Sequence, residues 1–237
     1  MVRVRIKFEK TGCMKFIGHL DVMRYFQKVL RRADIPVVLS EGFSPHMQMS
    51  FASPLGVGKT SSGEYFDVDL LEPVSSEELV RRMNEQMVEG MRVLSAKKVP
   101  ADKANKCMTL TAAASYTVSL NPDRIIIPDN LGALAEGFLS QGEITVLRKT
   151  KRKEELTDIR PWIFSLTAQD TSLHMLLSSG SVHNLKPELV MEALASYGSF
   201  GLPEYSFRIH RNELYADKGT DGDVRLVPLE ELGEEIV

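Results

Sequence analysis

Residues 2–8 alternate in character, with Val2, Val4, Ile6 and Phe8 at one parity and Arg3, Arg5 and Lys7 at the other, the pattern of a strand with one buried face. The period then changes. Across 20–33 the apolar positions Val22, Met23, Phe26, Val29, Leu30 and Ala33 recur at helical offsets, while Asp21, Arg24, Lys28 and Arg31 form a second stripe. Arg32 extends that stripe, and Asp34 and Pro36 end the helix. Further strands are predicted at 47–52 and 64–71, joined by a hairpin through PLGVGKTSSG. Ser75 and Glu78 make a capping box for a helix reaching about residue 87, and 91–99 reads as a strand.

The resulting order, β-α-β-β-α-β, is that of a ferredoxin-like split βαβ domain over 1–100. A short polar stretch at 101–113 reads as a linker, and the order then recurs over 114–237. There strands are expected at 114–120, 144–149, 162–167, 173–178 and 205–215, and helices at 130–139 and 187–197. The fold class expected is therefore α+β: tandem ferredoxin-like domains with antiparallel sheets, the second divergent from the first.

Composition narrows the classes. With 237 residues, 43% of them hydrophobic and 26% charged, the chain is long enough for two packed cores. No apolar run approaches the roughly 20 residues that cross a bilayer, and MVRVRIKFEK does not resemble a signal peptide, so a cytoplasmic protein without membrane association is expected. Cys13 and Cys107 stand apart and outside any C-x-x-C pair, which points to reduced thiols without a structural metal role. The net charge of -3 hides an asymmetry: residues 1–60 hold ten Lys and Arg against four acids, and the tail beyond Asp217 is acidic. The basic end is expected to face a partner, with an ordinary solvated face as the alternative.

Three constellations carry candidate chemistry. His19 and Asp21 open the first helix and His46 follows the turn Glu41-Gly42-Phe43-Ser44-Pro45; if these segments meet, the imidazoles and acids form a metal site or supply a general base. No third ligand is evident, so no metal or other cofactor is assigned. GVGKT at 56–60 is not a phosphate loop, because Ser53 stands where the first glycine is required and a strand follows where a helix is needed. Lys59 at that hairpin tip is instead a candidate phosphate contact. Phe43 is either a core anchor or an exposed platform for a base, beside the cations Arg24, Lys28, Arg31 and Arg32 and near His46. A second basic cluster holds Arg148, Lys149, Lys151 and Arg152. His174, His183 and His210 read as ordinary surface or strand residues.

The segment GHLDVMRYFQKVLRRADIPVVLSEGFSPHMQMSFASPLGVGKTSSGEYFDVDL resembles the signature of the DUF2344, radical-SAM-associated family. The likeness is strongest over the first hundred residues and continues through Asp158-Ile159-Arg160-Pro161 and Asn184-Leu185-Lys186-Pro187. It implies a free-standing member whose partner, a radical SAM protein, performs the radical chemistry. This chain has no C-x-x-x-C-x-x-C motif to hold the cluster of such an enzyme. Family members often place Pro-Lys after the turn histidine, where Met47-Gln48 stands here. The function expected is a non-catalytic RNA-binding or substrate-presenting module for a radical SAM, possibly cobalamin-dependent, RNA-modification enzyme acting on tRNA or rRNA. The alternatives are a metal-independent endoribonuclease using His19 or His46 as a general acid-base, and a protein adaptor for the radical enzyme.

Overall fold

The computed structural model describes residues 1–149, 154–220 and 222–237. From the N-terminus run strand β1 (Val2–Lys10), helix α1 (His19–Arg32), strands β2 (Met49–Phe51) and β3 (Thr60–Leu70), helix α2 (Ser76–Asn84), strand β4 (Met91–Val99) and the one-turn helix α3 (Cys107–Leu110). Strand β5 (Thr111–Leu120), helix α4 (Leu131–Leu139), strands β6 (Thr145–Lys149), β7 (Glu154–Asp158), β8 (Ile163–Gln169) and β9 (Ser172–Ser178), helix α5 (Pro187–Gly198) and strands β10 (Phe207–Asp217) and β11 (Leu226–Pro228) follow. The protein is mixed α+β with mostly antiparallel pairing.

The chain divides into two units, 1–112 with 211–237, and 113–210. In the first, β4 pairs β1, β1 pairs β3, and β2 pairs β3, all antiparallel. The alternation of β1 sends Val4, Ile6 and Phe8 into one core with Phe66, Val68 and Leu70 of β3, the α1 face Val22, Phe26, Val29 and Leu30, and Leu79 and Met83 of α2. Phe8, Phe26, Phe51 and Phe66 form an aromatic cluster there, with ring centroids 4.5 to 6.2 Å apart. Ser75 caps α2 as its capping-box spacing predicts, its hydroxyl accepting from the Glu78 amide at 3.2 Å. Arg82 of α2 donates to the carbonyls of Ala33 and Asp34, satisfying the end of α1.

The other face of β1 and β3 departs from the solvent-facing expectation. Arg3 makes a two-point ion pair with Asp69, at 2.8 and 3.0 Å, and Arg5 one with Asp67, at 2.8 and 3.2 Å. Arg5 and Asp67 are each only 2% exposed. The segment expected to be a linker covers them: the Asn105 carbonyl accepts from Arg5 at 2.7 Å and the Cys107 amide donates to Asp67 at 2.7 Å. Arg5 also reaches the Leu229 carbonyl, at 3.2 Å, and Lys7 bonds Glu213 and Glu230. Residues 211–237 group with the first unit, whereas the sequence pattern places them in 114–237: Arg5 and Lys7 of β1 draw a carbonyl and two carboxylates from that tail, and Glu64 of β3 draws Arg211. Gly63 permits the close approach of β10: a Cβ there would lie 2.5 Å from the Asn212 carbonyl oxygen.

In the second unit, β9 lies between β5 and β8. Tyr116 and Val118 of β5, Leu173, Met175 and Leu177 of β9, Phe138 of α4 and Val190 and Leu194 of α5 are buried. The strand at 144–149 is realised as β6, but it pairs with β7, which the sequence pattern did not announce, in a separate two-stranded hairpin.

Candidate functional site

The loop after α1 is closed at its base. Leu39 bridges Met47, the Ser40 amide donates to the His46 carbonyl at 2.8 Å, and the His46 amide donates to the Ser40 hydroxyl at 3.1 Å. The Ser40 hydroxyl also meets His46 Nδ1 at 2.8 Å. These bonds fix the ring, and Gly42, at φ 110, supplies the left-handed turn between them. Phe43 stands at the tip with a relative exposure of 111%, so it anchors no core. A fully exposed aromatic on a pinned loop gains no burial from folding.

His46 lines a cavity of about 270 Å³ together with Arg3, Gln48, Ser50, Asp69 and Lys106. Asp69 and Asp67, which also lines the cavity, are already paired to Arg3 and Arg5. The remaining lining offers hydrogen-bond donors and acceptors from Ser40, Gln48 and Ser50 and an ammonium from Lys106, a surface suited to a polar ligand with some negative charge.

His19 lies elsewhere, in a second cavity lined by Phe8, Lys10, Phe51, Ser53, Leu55 and Glu64, of about 10 Å³, the room of one water. Its ring meets Phe51 edge-on, centroids 5.3 Å apart. Lys10 is 2% exposed and donates to the Ile17 carbonyl at 2.8 Å; burial pushes its ammonium pKa down, with Glu64 opposing and Arg211 adding to the shift. Burial likewise lowers the His19 pKa, with Glu64 opposing and Lys10 reinforcing. Glu64 accepts two bonds from Arg211, at 2.7 and 2.5 Å, and Arg211 also donates to the Ser53 carbonyl at 2.9 Å. This cluster was missed from sequence, although a signal existed: Lys10, Glu64 and Arg211 occupy the parity of Phe8, Phe66 and Ile209, where apolar residues are expected.

The structure thus places His19 and His46 in different cavities, while Asp21 is exposed and paired with Arg24 at 3.3 Å, and Glu41 is exposed in its loop. Among the described residues, no three His, Cys, Asp or Glu side chains group as a metal site. Arg24, Lys28, Arg31 and Arg32 are all exposed on the outer side of α1. Lys59 is half-buried in a turn tied down by the Gly58 amide, which donates to the Lys15 carbonyl at 2.8 Å. In the second unit Arg148 lies over the Trp162 ring and Lys149 ends β6 opposite Glu154; Lys151 and Arg152 lie outside the described residues. No described helix is long and apolar enough to cross a membrane.

Fold and site together define a two-unit α+β protein whose first unit carries an exposed aromatic on a loop whose closing residues, Ser40 and His46, line a polar cavity. Residues 3–187 match the model of the family described as "Uncharacterized protein conserved in bacteria (DUF2344)". The chain belongs to the DUF2344 family. No curated protein matches it. Among solved structures it is similar to a chain of the "Crystal Structure of a Cbf5-Nop10-Gar1 Complex", at 10% identity and a TM-score of 0.44, over 89% of this chain and 48% of that one. This chain thus spans about half the length of that relative.

Proposed function

We propose that this protein is a non-catalytic RNA-binding module that presents tRNA or rRNA to a radical SAM modification enzyme. The observation that carries the reading is Phe43: a fully exposed ring on a loop closed by Ser40 and His46, beside a cavity lined by His46 and Lys106. A base stacked on Phe43 would place its edge within reach of polar groups, and the exposed cations of α1 suit the adjoining phosphates. In fold terms we read the first unit as ferredoxin-like, on its strand order β4-β1-β3-β2, and the second as a divergent counterpart.

Binding of total cellular RNA by the full chain tests the reading. Affinity should fall with salt at a log-log slope of about -0.7 for each phosphate contacted. Absence of salt-sensitive binding at low ionic strength would remove the RNA reading. The enzyme partner is tested separately, by co-purification after nuclease treatment. A radical SAM protein retained under those conditions supports the partnership, and its loss with and without RNA refutes it.

A further inference from the structure

The second unit contains a column of one cation and two rings drawn from three separate segments. The Arg148 guanidinium, on β6, lies 5.2 Å from the centroid of the Trp162 ring. Trp162 ends the short 3-10 turn Arg160–Trp162 and stacks on His183, centroids 4.9 Å apart and planes 28° from parallel. His183 sits in the turn closed by the bridge between Ser179 and Asn184, and Arg148 donates to the Asn184 carbonyl at 3.1 Å. One arginine therefore holds both the indole and the turn that carries the imidazole.

The placement of this column is unusual for packing. Trp162 is the single tryptophan of the chain, yet it is only half-buried, and the ring stacked on it belongs to an exposed turn whose Val182 also faces solvent. A tryptophan used for stability would bury its large surface in the core formed by Phe138, Leu166 and Leu177. An exposed ring backed by a second ring and a guanidinium is instead the arrangement with which proteins stack single-stranded bases. The stacking rings are sequence-tolerant, and the cation serves the neighbouring phosphate. Arginine has five N–H donors, so its bond to Asn184 is compatible with a phosphate contact.

We propose that Arg148, Trp162 and His183 form a base-stacking site for single-stranded RNA: a base continues the column on the exposed His183 ring, and a phosphate further along the strand meets Arg148. The inference rests on the RNA-binding reading but uses residues of the other unit, so the two are separable. Because Trp162 is the only tryptophan, its fluorescence reports on this site alone.

The experiment titrates the full chain with a short, labelled, single-stranded oligoribonucleotide and follows the label's anisotropy and Trp162 emission together. Emission should change in step with anisotropy. His183→Ala should weaken binding about fivefold or more, His183→Phe should restore it, and an abasic oligonucleotide of equal length should bind more weakly without changing the emission. A rise in anisotropy with constant emission and an unaffected His183→Ala variant overturns this site while leaving the RNA reading intact. An abasic strand that binds and alters the emission as well as the normal one also overturns it. No anisotropy change at low salt defeats the RNA reading, and this site with it.

Discussion

The first sixty residues contain two sets of cations that look alike in sequence and serve opposite ends in the fold. Those of β1 are enclosed: Arg3 and Arg5 are paired to Asp69 and Asp67, Lys7 to Glu213 and Glu230, and Lys10 is buried against the Ile17 carbonyl. Those of α1, Arg24, Lys28, Arg31 and Arg32, are exposed. The difference is one of cover. A helix buries one stripe and leaves its opposite face in water, whereas a strand has a second face that another segment can close over. Burial of Lys7 works against its charge, but the bonds it donates to Glu213 and Glu230 prevail and raise its pKa. The basic excess of the N-terminal region thus overstates the charge that faces solvent, and the outward cations on α1 are the ones left exposed.

The sharpest way to break the contrast is to remove a cation from the enclosed set. Arg5→Ala leaves Asp67 buried without its counter-charge and the Asn105 and Leu229 carbonyls without a donor. Loss of one partner of a buried pair costs about 3–5 kcal/mol, so the urea midpoint should fall steeply. Replacing both, as Arg5→Met with Asp67→Leu, should recover most of that loss, since no charge is then stranded. A single variant as stable as the parent would show that the ion pair does not hold residues 101–112 and the tail onto β1.

On the exposed side the largest effect belongs to Phe43. Phe43→Ala should lower RNA affinity by about 1–3 kcal/mol, the usual worth of one stacked base. Stability should stay within about 0.5 kcal/mol, since the ring buries nothing. Calorimetric or anisotropy titration beside a urea melt checks both halves. Unchanged affinity removes the platform role, and a large drop in stability would contradict the exposed placement.

The α1 cations come next. The triple variant Arg24→Ala, Lys28→Ala and Arg31→Ala should reduce the salt slope by about 2, if each meets one phosphate at about 0.7 per contact. Its melt should barely move, in contrast to Arg5→Ala. A slope identical to the parent's would mean that phosphates lie elsewhere, and the outward stripe would then be an ordinary solvated surface.

Sequence reading succeeded where a single element carries its own pattern. The parity of Val2 to Phe8, the period of α1 and the Ser75 cap are local, and each is where the pattern put it; the antiparallel pairing of β2 with β3 is also as expected, although β3 begins at Thr60, inside the segment expected to be the hairpin. Reading failed where the determinant is a pairing between distant residues. Glu64 and Arg211 are 147 positions apart, and nothing near either announces the other, so the return of 211–237 to the first unit was invisible. The parts of the site divide in the same way. Phe43 could be singled out because its turn chemistry is local, but whether it pointed in or out depended on the Ser40–His46 closure. Whether His19 and His46 met was a question of tertiary placement that spacing does not encode.

The smallest predicted effect concerns the residue that joins the two sets, His19, which begins α1 yet lines the cavity containing Lys10. Its pKa is lowered in the fold, first by burial and further by Lys10, with Glu64 opposing. The unfolded chain therefore takes up the proton first, at an ordinary histidine pKa of about 6.5. Between that value and the lower folded one, the unfolded state binds more protons, so stability falls as pH falls through this window and is unaffected above it. His19→Phe keeps a ring against Phe51 and removes the titration. The other histidines and the carboxylates titrate in both proteins, so the informative quantity is the difference between their urea midpoints. That difference should shift in favour of the variant on going from pH 7.5 to pH 5. Parallel curves would show that the cavity admits enough water to solvate a charged imidazole, and that the enclosure around Lys10 stops short of the helix end.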